Sequence, residues 1–205
     1  MKVLIQYISK QFGKPSGIGG QISTFLMNCL NRKLYHSIIQ NLKIDKRDTI
    51  LDIGFGNGFL LKKVAEQNPN KVLGIEISKD MLWVAGKRNA VFIQNGKVEL
   101  TESNVMNLPF ADSSIDKIYT VNTIYFWKDC SKGFSEIFRV LKSDGLFLNA
   151  VYTKKWLDKL PITRYGFVKF TATELKELIE RNGFSEVQII EIQKNKSLCI
   201  VAKKS

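Results

Sequence analysis

Short apolar runs alternate with amphipathic stretches from residue 49 onward, and this alternation restricts the fold more than any other feature of the 205-residue sequence. Five runs have the length and apolar content of buried strands: residues 49–53, 71–77, 98–101, 115–122 and 146–152. Helical patterns lie among them at residues 58–67, 79–89 and 132–141. Strands that alternate with helices predict an α/β fold with one doubly wound parallel sheet and helices on both faces.

The two ends of the sequence have different patterns. Residues 174–182 read as a helix, and strands at 187–192 and 198–203 are close enough in sequence to require an antiparallel hairpin. Apolar residues at intervals of four predict an amphipathic helix over residues 22–42, and a Gly- and Pro-rich stretch precedes it. We therefore predict an N-terminal lid segment and helix (residues 1–44) and a second unit, residues 45–205, that contains the sheet. Within the first part, residues 7–20 are the predicted lid, and a frayed terminus is the alternative.

Composition and charge narrow the class of protein. Hydrophobic residues make up 44% and charged residues 24%, which is typical of a folded globular domain. Three scattered cysteines fit neither a disulfide framework nor a metal cluster, so we expect a cytoplasmic protein without a metal site. No apolar run reaches the ~18 residues needed to span a bilayer, and we expect no membrane insertion. The net charge of +12 comes from scattered lysines, which favours solvation first and contact with nucleic acid second.

A glycine-rich turn at residues 50–58 carries the clearest chemical signal. Gly54, Gly56 and Gly58 stand where the first strand turns into the first helix, so the backbone can approach a ligand closely. Glu76 ends the second strand, where a carboxylate can bind the hydroxyls of a ribose. Together they predict a site for a nucleotide-like cofactor. A tight turn with no ligand is the structural alternative for the three glycines.

The spacing of this turn selects among cofactors. A dinucleotide motif needs a third glycine at the position of Phe59, and no phosphate-binding Gly-x-x-x-x-Gly-Lys-Ser/Thr motif occurs in the sequence. Asp52, at the mouth of the turn, would repel a pyrophosphate but attract an ammonium group, although it could also cap the following helix. A ligand with a ribose and an ammonium group fits this pattern, and S-adenosylmethionine has both.

Five segments in order carry a family resemblance: residues 51–58, 74–78, 107–116, 136–145 and 174–184. In these segments the sequence resembles the class I S-adenosylmethionine-dependent methyltransferases, most closely the small-molecule branch typified by quinone-biosynthesis C-methyltransferases (type 11). The likeness extends over residues 45–203. It implies a Rossmann-like seven-stranded sheet with strand order 3-2-1-4-5-7-6, in which the last strand is antiparallel.

The resemblance also implies roles for individual residues. Asp52 and the three glycines would bind the methionine and ribose portions of the cofactor, and Glu76 would bind the ribose hydroxyls. The residues implied at the adenine and at the end of the site are Ile77, Met81, Asn104, Val105 and Asn122. Many relatives have an acidic residue at the position of Asn104, whose amide oxygen can also accept a hydrogen bond.

Three further residues are candidates for the substrate site. Tyr125 and Trp127 follow the fourth strand, at the crevice where ligands meet this type of sheet, although core packing would explain both equally well. His36 is the sole histidine, and a histidine in such a helix is more often structural or exposed than a general base.

The predicted reaction is methyl transfer to an unidentified small-molecule acceptor by in-line displacement at the sulfonium methyl. Such a reaction depends mainly on positioning, so no catalytic acid or base is assigned. A nucleic-acid methyltransferase is the first alternative, but residues 122–125 read Asn-Thr-Ile-Tyr in place of the base-methylation motif, and no proline precedes a cysteine. A cofactor-binding protein without catalysis is the second.

Overall fold

The computed structural model describes residues 9, 13 and 28–205. The strands are β1 (Thr49–Ile53), β2 (Lys71–Glu76), β3 (Val98–Glu102), β4 (Ile115–Val121), β5 (Leu141–Tyr152), β6 (Ser185–Gln193) and β7 (Ser197–Lys203). The helices are α1 (Arg32–Leu42), α2 (Phe59–Ala65), α3 (Lys79–Arg88), α4 (Ala90–Gln94), α5 (Cys130–Val140), α6 (Lys154–Leu157) and α7 (Ala172–Arg181). Two 3-10 turns span Ile124–Phe126 and Pro161–Arg164.

All seven strands form one sheet in the order β3-β2-β1-β4-β5-β7-β6. The first five strands pair in parallel, and β7 runs antiparallel to both of its neighbours. Successive residues of β1 and β2 are buried, as expected for strands covered by helices on both faces. The predicted α/β fold, strand order and C-terminal hairpin are therefore confirmed.

Helix α1 packs its apolar stripe on the sheet through Leu34, Ile38 and Leu42, which are fully buried. The predicted stripe ends there, because Asn31 interrupts the helix and Leu30 is 62% exposed. Residues 22–27 of the predicted helix lie outside the described residues.

Most predicted elements are present within a few residues of their expected ends. The largest difference is at β5, which begins at Leu141, five residues before the prediction, because a register irregularity at Ile115 and Lys117 lets it pair with β4 earlier. Helices α4 and α6 and the two 3-10 turns are additional, and each is too short to show an apolar period. No helix in the described part of the chain has the length and apolar character needed to cross a bilayer.

Candidate active site

A cavity of about 710 Å³ lies at the carboxyl ends of the parallel strands. The loop after β1 and the end of β2 line one half, which we call the cofactor half. Aromatic and aliphatic side chains after β4 and β5 line the other, which we call the acceptor half, and the segment before α1 also contributes. Ligands in open α/β sheets bind at this edge, where the strand order reverses between β1 and β4.

The glycine turn after β1 has a backbone conformation in which a residue with a side chain would be strained. Gly54 has φ +74° and donates a hydrogen bond to the Ile75 carbonyl at 2.8 Å. A Cβ atom at Gly54 would lie 2.5 Å from Cγ2 of Thr123. Gly56 also has positive φ, +54°, but a Cβ there would meet no atom within 4 Å. The turn is therefore closely packed at Gly54 and open to the cavity at Gly56.

The carboxylate of Glu76 is held by backbone amides from the glycine turn and from the turn that follows β2. Its Oε2 accepts a hydrogen bond from the Gly56 amide at 3.0 Å, and Oε1 accepts from the Ile77 amide at 2.8 Å and the Ser78 amide at 3.0 Å. The carboxylate is buried and lines the cofactor half. The glycine turn and the acidic residue, predicted as separate features, are joined by a direct hydrogen bond.

Asp52 is a second buried carboxyl group in the cofactor half, and it is 3% exposed. The Tyr119 hydroxyl donates to its Oδ2 at 2.8 Å. Burial raises the pKa of Asp52 to about 8, an effect that the Tyr119 hydrogen bond opposes and the nearby charge of Glu76 increases. At neutral pH Asp52 is therefore mostly protonated, and a cation beside it would favour its ionised form.

Asn57 connects the glycine turn to the segment before α1. Its Oδ1 accepts hydrogen bonds from Arg88 at 2.6 Å, from the Phe59 amide at 3.2 Å and from Asn28 at 3.3 Å. The Tyr35 hydroxyl donates to Asn28 Oδ1 at 3.0 Å, and burial raises the pKa of Tyr35 to about 12. Sequence reasoning missed these polar contacts. The helical spacing of Asn28 and Tyr35, seven residues apart, was the available signal.

Asn122 directly follows β4 and has a left-handed backbone conformation, with φ +57°. Its Oδ1 lies 3.1 Å from the Tyr125 hydroxyl and accepts from the Tyr152 amide at 3.3 Å. Its Nδ2 donates to Asn31 Oδ1 at 3.0 Å, which joins the sheet to the start of α1. The Tyr125 hydroxyl also accepts from the Tyr152 amide at 2.7 Å. These bonds hold the ends of β4 and β5 together.

Trp127 and Tyr125 both line the cavity, and each has its polar atom bonded within the protein. The Trp127 indole donates to Thr123 Oγ1 at 3.1 Å, and its ring packs edge-on against Phe134 with centroids 5.4 Å apart. Both side chains therefore offer the cavity ring surface.

Two residues of the predicted lid are described, and both lie beside the acceptor half. A Cβ at Gly13 would lie 2.9 Å from the Phe126 ring, and the Ser9 hydroxyl donates to the Ile162 carbonyl. The rest of residues 7–20 lies outside the described residues, and the lid stays a prediction.

Comparison with known proteins supplies the family. A family model described as a methyltransferase domain (type 11) matches residues 51–149, which contain the glycine turn, Glu76 and Asn122. The matched segment is a class I S-adenosylmethionine-dependent methyltransferase domain.

Relatives and solved structures agree with this methyltransferase family. The chain is 28% identical to the uncharacterized methyltransferase YdaC of Bacillus subtilis over 89% of this chain and 98% of the relative. It is 26% identical to the ubiquinone/menaquinone biosynthesis C-methyltransferase UbiE of Geotalea daltonii, over 70% and 67%. A solved S-adenosylmethionine-dependent methyltransferase from Aquifex aeolicus has the same fold, with a TM-score of 0.71, 20% identity, and coverage of 85% and 93%.

The structure brings most of the predicted cofactor residues of this methyltransferase to one cavity. Those that line it are Asp52, Gly54, Gly56, Glu76, Ile77, Asn104, Val105 and Asn122. Ile77 is 40% exposed and offers the cavity an apolar surface. The Asn104 Oδ1 accepts a hydrogen bond from the Met106 amide at 2.9 Å, which holds this side chain against its own loop.

Three predicted site residues lie away from the cavity lining. Gly58 caps the start of α2, and a Cβ there would lie 2.7 Å from Ala85 of α3. Met81 is fully buried in α3. His36 is exposed on α1, because the neighbouring Tyr35 takes the helix position that faces the cavity.

Proposed function

We propose that the cofactor half of the cavity binds S-adenosylmethionine for methyl transfer to a small-molecule acceptor, and that the protein acts in the cytoplasm. The hydrogen bond from the Gly56 amide to the Glu76 carboxylate is the observation that carries the assignment. It places an acidic group and an open backbone turn at one point of the cavity, as recognition of a ribose requires. The three free cysteines support a reducing compartment.

Each residue of the cofactor half has a proposed role that its surroundings support. Glu76 would accept hydrogen bonds from the ribose hydroxyls, and Ile77 would cover the adenine with Val105. No hydrogen bond to Asp52 Oδ1 occurs among the described residues, so this oxygen would receive the ammonium group. Asn104 and Asn122 would close the two ends of the site.

The acceptor half would exclude water and hold the acceptor in line. When bound, S-adenosylmethionine supplies a methyl group on a sulfonium, an electrophile that reacts without a strong acid or base. The rings of Tyr125, Phe126 and Trp127 form an apolar wall that limits the acceptor to one face of the crevice.

The predicted division of the chain into residues 1–44 and 45–205 stays a prediction. Asn31 and Tyr35, from residues 1–44, line the same cavity as the residues of the sheet.

Calorimetric titration tests the assignment. S-adenosylhomocysteine is expected to bind with micromolar or tighter affinity, and NAD is expected not to bind. The Glu76→Gln variant should bind S-adenosylhomocysteine about tenfold more weakly, because the ribose loses a charged acceptor. Glu102→Gln is the matched control, since Glu102 pairs with Glu76 in the β2–β3 register but is exposed and does not line the cavity. Binding of NAD in preference to S-adenosylhomocysteine would contradict the proposal.

The net charge of +12 favours a nucleic-acid acceptor as the second candidate. Many of the surface lysines in the described residues pair with carboxylates, as Lys63 does with Glu66 and Lys71 with Glu99. We therefore expect only weak RNA binding that falls steeply between low and physiological salt. Filter-binding assays with labelled RNA over a salt series measure this. Stoichiometric methyl transfer from labelled cofactor to one RNA site at physiological salt would establish the second candidate instead.

A further inference from the structure

The acidic and basic side chains on the cavity wall are divided between its two halves. The acidic residues among the described lining residues are Asp52 and Glu76, both in the cofactor half. The acceptor half has Lys196 on its wall, and the exposed Lys128 also lines the cavity. Lys196 precedes β7, which lies three strands from β1 in the sheet, so it stands roughly 14 Å from the strand that holds Asp52.

The backbone of Lys196 is held firmly in the turn between β6 and β7. Its amide donates to the Gln193 carbonyl at 2.9 Å, and its carbonyl accepts from the Thr153 amide at 2.9 Å. The Thr153 hydroxyl donates to the Asn195 carbonyl at 3.1 Å. These bonds tie the turn to the end of β5, next to the acceptor half.

The side chain of Lys196 lies against two aromatic rings of the acceptor half, those of Trp156 and Tyr152. Its ammonium nitrogen lies 4.5 Å from the ring centroid of Trp156 and 5.9 Å from that of Tyr152, and both rings line the cavity. Aromatic faces hold a cation in place without neutralising its charge. The charge of Lys196 is therefore presented at a fixed position on the wall.

No carboxylate pairs with this ammonium group among the residues that the structure describes. Two other half-buried lysines do have such partners: Lys169 pairs with Asp158 at 2.9 Å and Lys203 with Asp144 at 2.9 Å. Lys196 is half-buried. A half-buried cation surrounded by rings creates a positive potential that an anionic ligand group would neutralise.

We propose that Lys196 determines the specificity of the enzyme by binding an anionic group, a carboxylate or a phosphate, on an otherwise apolar acceptor. The inference rests on the proposed function, because it treats this half of the cavity as the acceptor site. Trp156, Leu160 and Phe167 would enclose the apolar body of the acceptor, and Lys128 would add positive potential. The acceptor would thus be an amphiphilic acid or phosphate ester.

Three naphthalene probes test the inference in the full chain saturated with S-adenosylhomocysteine. The probes 1-naphthoate, 1-naphthyl phosphate and 1-naphthamide have the same ring and differ in charge. In calorimetry we expect at least one anionic probe to bind about tenfold more tightly than the amide. The tighter of the two anions identifies the group as carboxylate or phosphate. Lys196→Gln and Lys196→Met should bind the anions no better than the amide, and Lys196→Met retains an aliphatic chain beside Trp156.

Lys194→Gln is the matched control, since it removes the same charge from an exposed lysine of the same turn that does not line the cavity. It should keep the preference for the anion. The affinity for S-adenosylhomocysteine is measured first in every variant, and its absence in the unaltered protein would contradict the proposed function. If S-adenosylhomocysteine binds but neither anion binds better than the amide, or the preference survives in both Lys196 variants, the inference about Lys196 is wrong.

Discussion

The Asp52→Asn variant is expected to bind S-adenosylhomocysteine about 100-fold more weakly than the unaltered protein, because a buried charge-assisted hydrogen bond to the ammonium group is lost. Binding by the unaltered protein should also depend on pH. Since the pKa of Asp52 is raised to about 8, affinity should rise with pH up to that value and then level off. In Asp52→Asn this dependence should disappear. Calorimetry between pH 6 and 8.5 measures both effects.

The same substitution is expected to stabilise the ligand-free protein. Burial raises the pKa of Asp52 above its unfolded value of ~3.9, so between pH 4 and 8 the folded state keeps a proton that the unfolded state has released. The free energy of unfolding therefore falls as pH rises through this window. The side chain of asparagine does not titrate, so this pH-dependent loss is absent in Asp52→Asn. The variant should gain on the order of 5 kcal/mol at pH 8 and almost nothing at pH 4. Urea unfolding at the two pH values measures the difference.

Asp48→Asn provides the contrast for both measurements. Asp48 is also buried, but it pairs with Lys117 at 2.6 Å and lies outside the cavity lining. Its replacement should leave the affinity for S-adenosylhomocysteine unchanged and lower the stability, because Lys117 loses its partner. Equal affinity in Asp52→Asn and the unaltered protein would show that the ammonium group binds elsewhere.

A substitution at Gly54 is expected to destabilise the folded protein strongly. Gly54→Ala should lower the free energy of unfolding by about 3 kcal/mol, since alanine is strained at φ +74° and its Cβ would overlap Cγ2 of Thr123. Gly56→Ala should cost only about 1 kcal/mol, because φ is again positive but the space is open. That open space faces the cavity, so Gly56→Ala should weaken cofactor binding more than its effect on stability indicates. Urea unfolding and calorimetry give the two quantities.

A second substitution isolates the contact with Thr123. Thr123→Ser removes Cγ2 but keeps Oγ1, which accepts from the Trp127 indole at 3.1 Å. In the Gly54→Ala background it should restore about 1 kcal/mol or more, whereas in the Gly56→Ala background it should restore nothing. If Thr123→Ser has the same effect in both backgrounds, steric overlap is not the reason for glycine at position 54.

The cofactor half was predictable from the sequence because its parts are local. Asp52 and Glu76 lie near the ends of two short strands with a clear apolar pattern, and the glycine turn directly follows the first of them. Parallel strands bring their carboxyl ends to one edge of the sheet. Burial of Met81 and exposure of His36 were not predictable in this way. They depend on how α3 and α1 rotate against the sheet, which the sequence period fixes only to within one or two residues.

The acceptor half could not be predicted because distant segments form it. Trp156, Leu160 and Phe167 come from residues 153–171, where short helices and turns leave no periodic pattern. Lys196 reaches the cavity only because the C-terminal hairpin inserts β7 beside β5. No spacing in the sequence connects this lysine with Trp156, since the contact depends on tertiary structure alone.

Because β7 comes last in the sequence but lies inside the sheet, the strands that hold the two halves of the cavity are synthesised at different times. Strands β1 to β4 are synthesised first and can pair among themselves, while β5 keeps an unpaired edge until the hairpin emerges from the ribosome. Such an edge is where nascent chains aggregate. The strands that hold the cofactor half are therefore synthesised before the turn that carries Lys196, and the wall at Lys196 depends on the C-terminal hairpin.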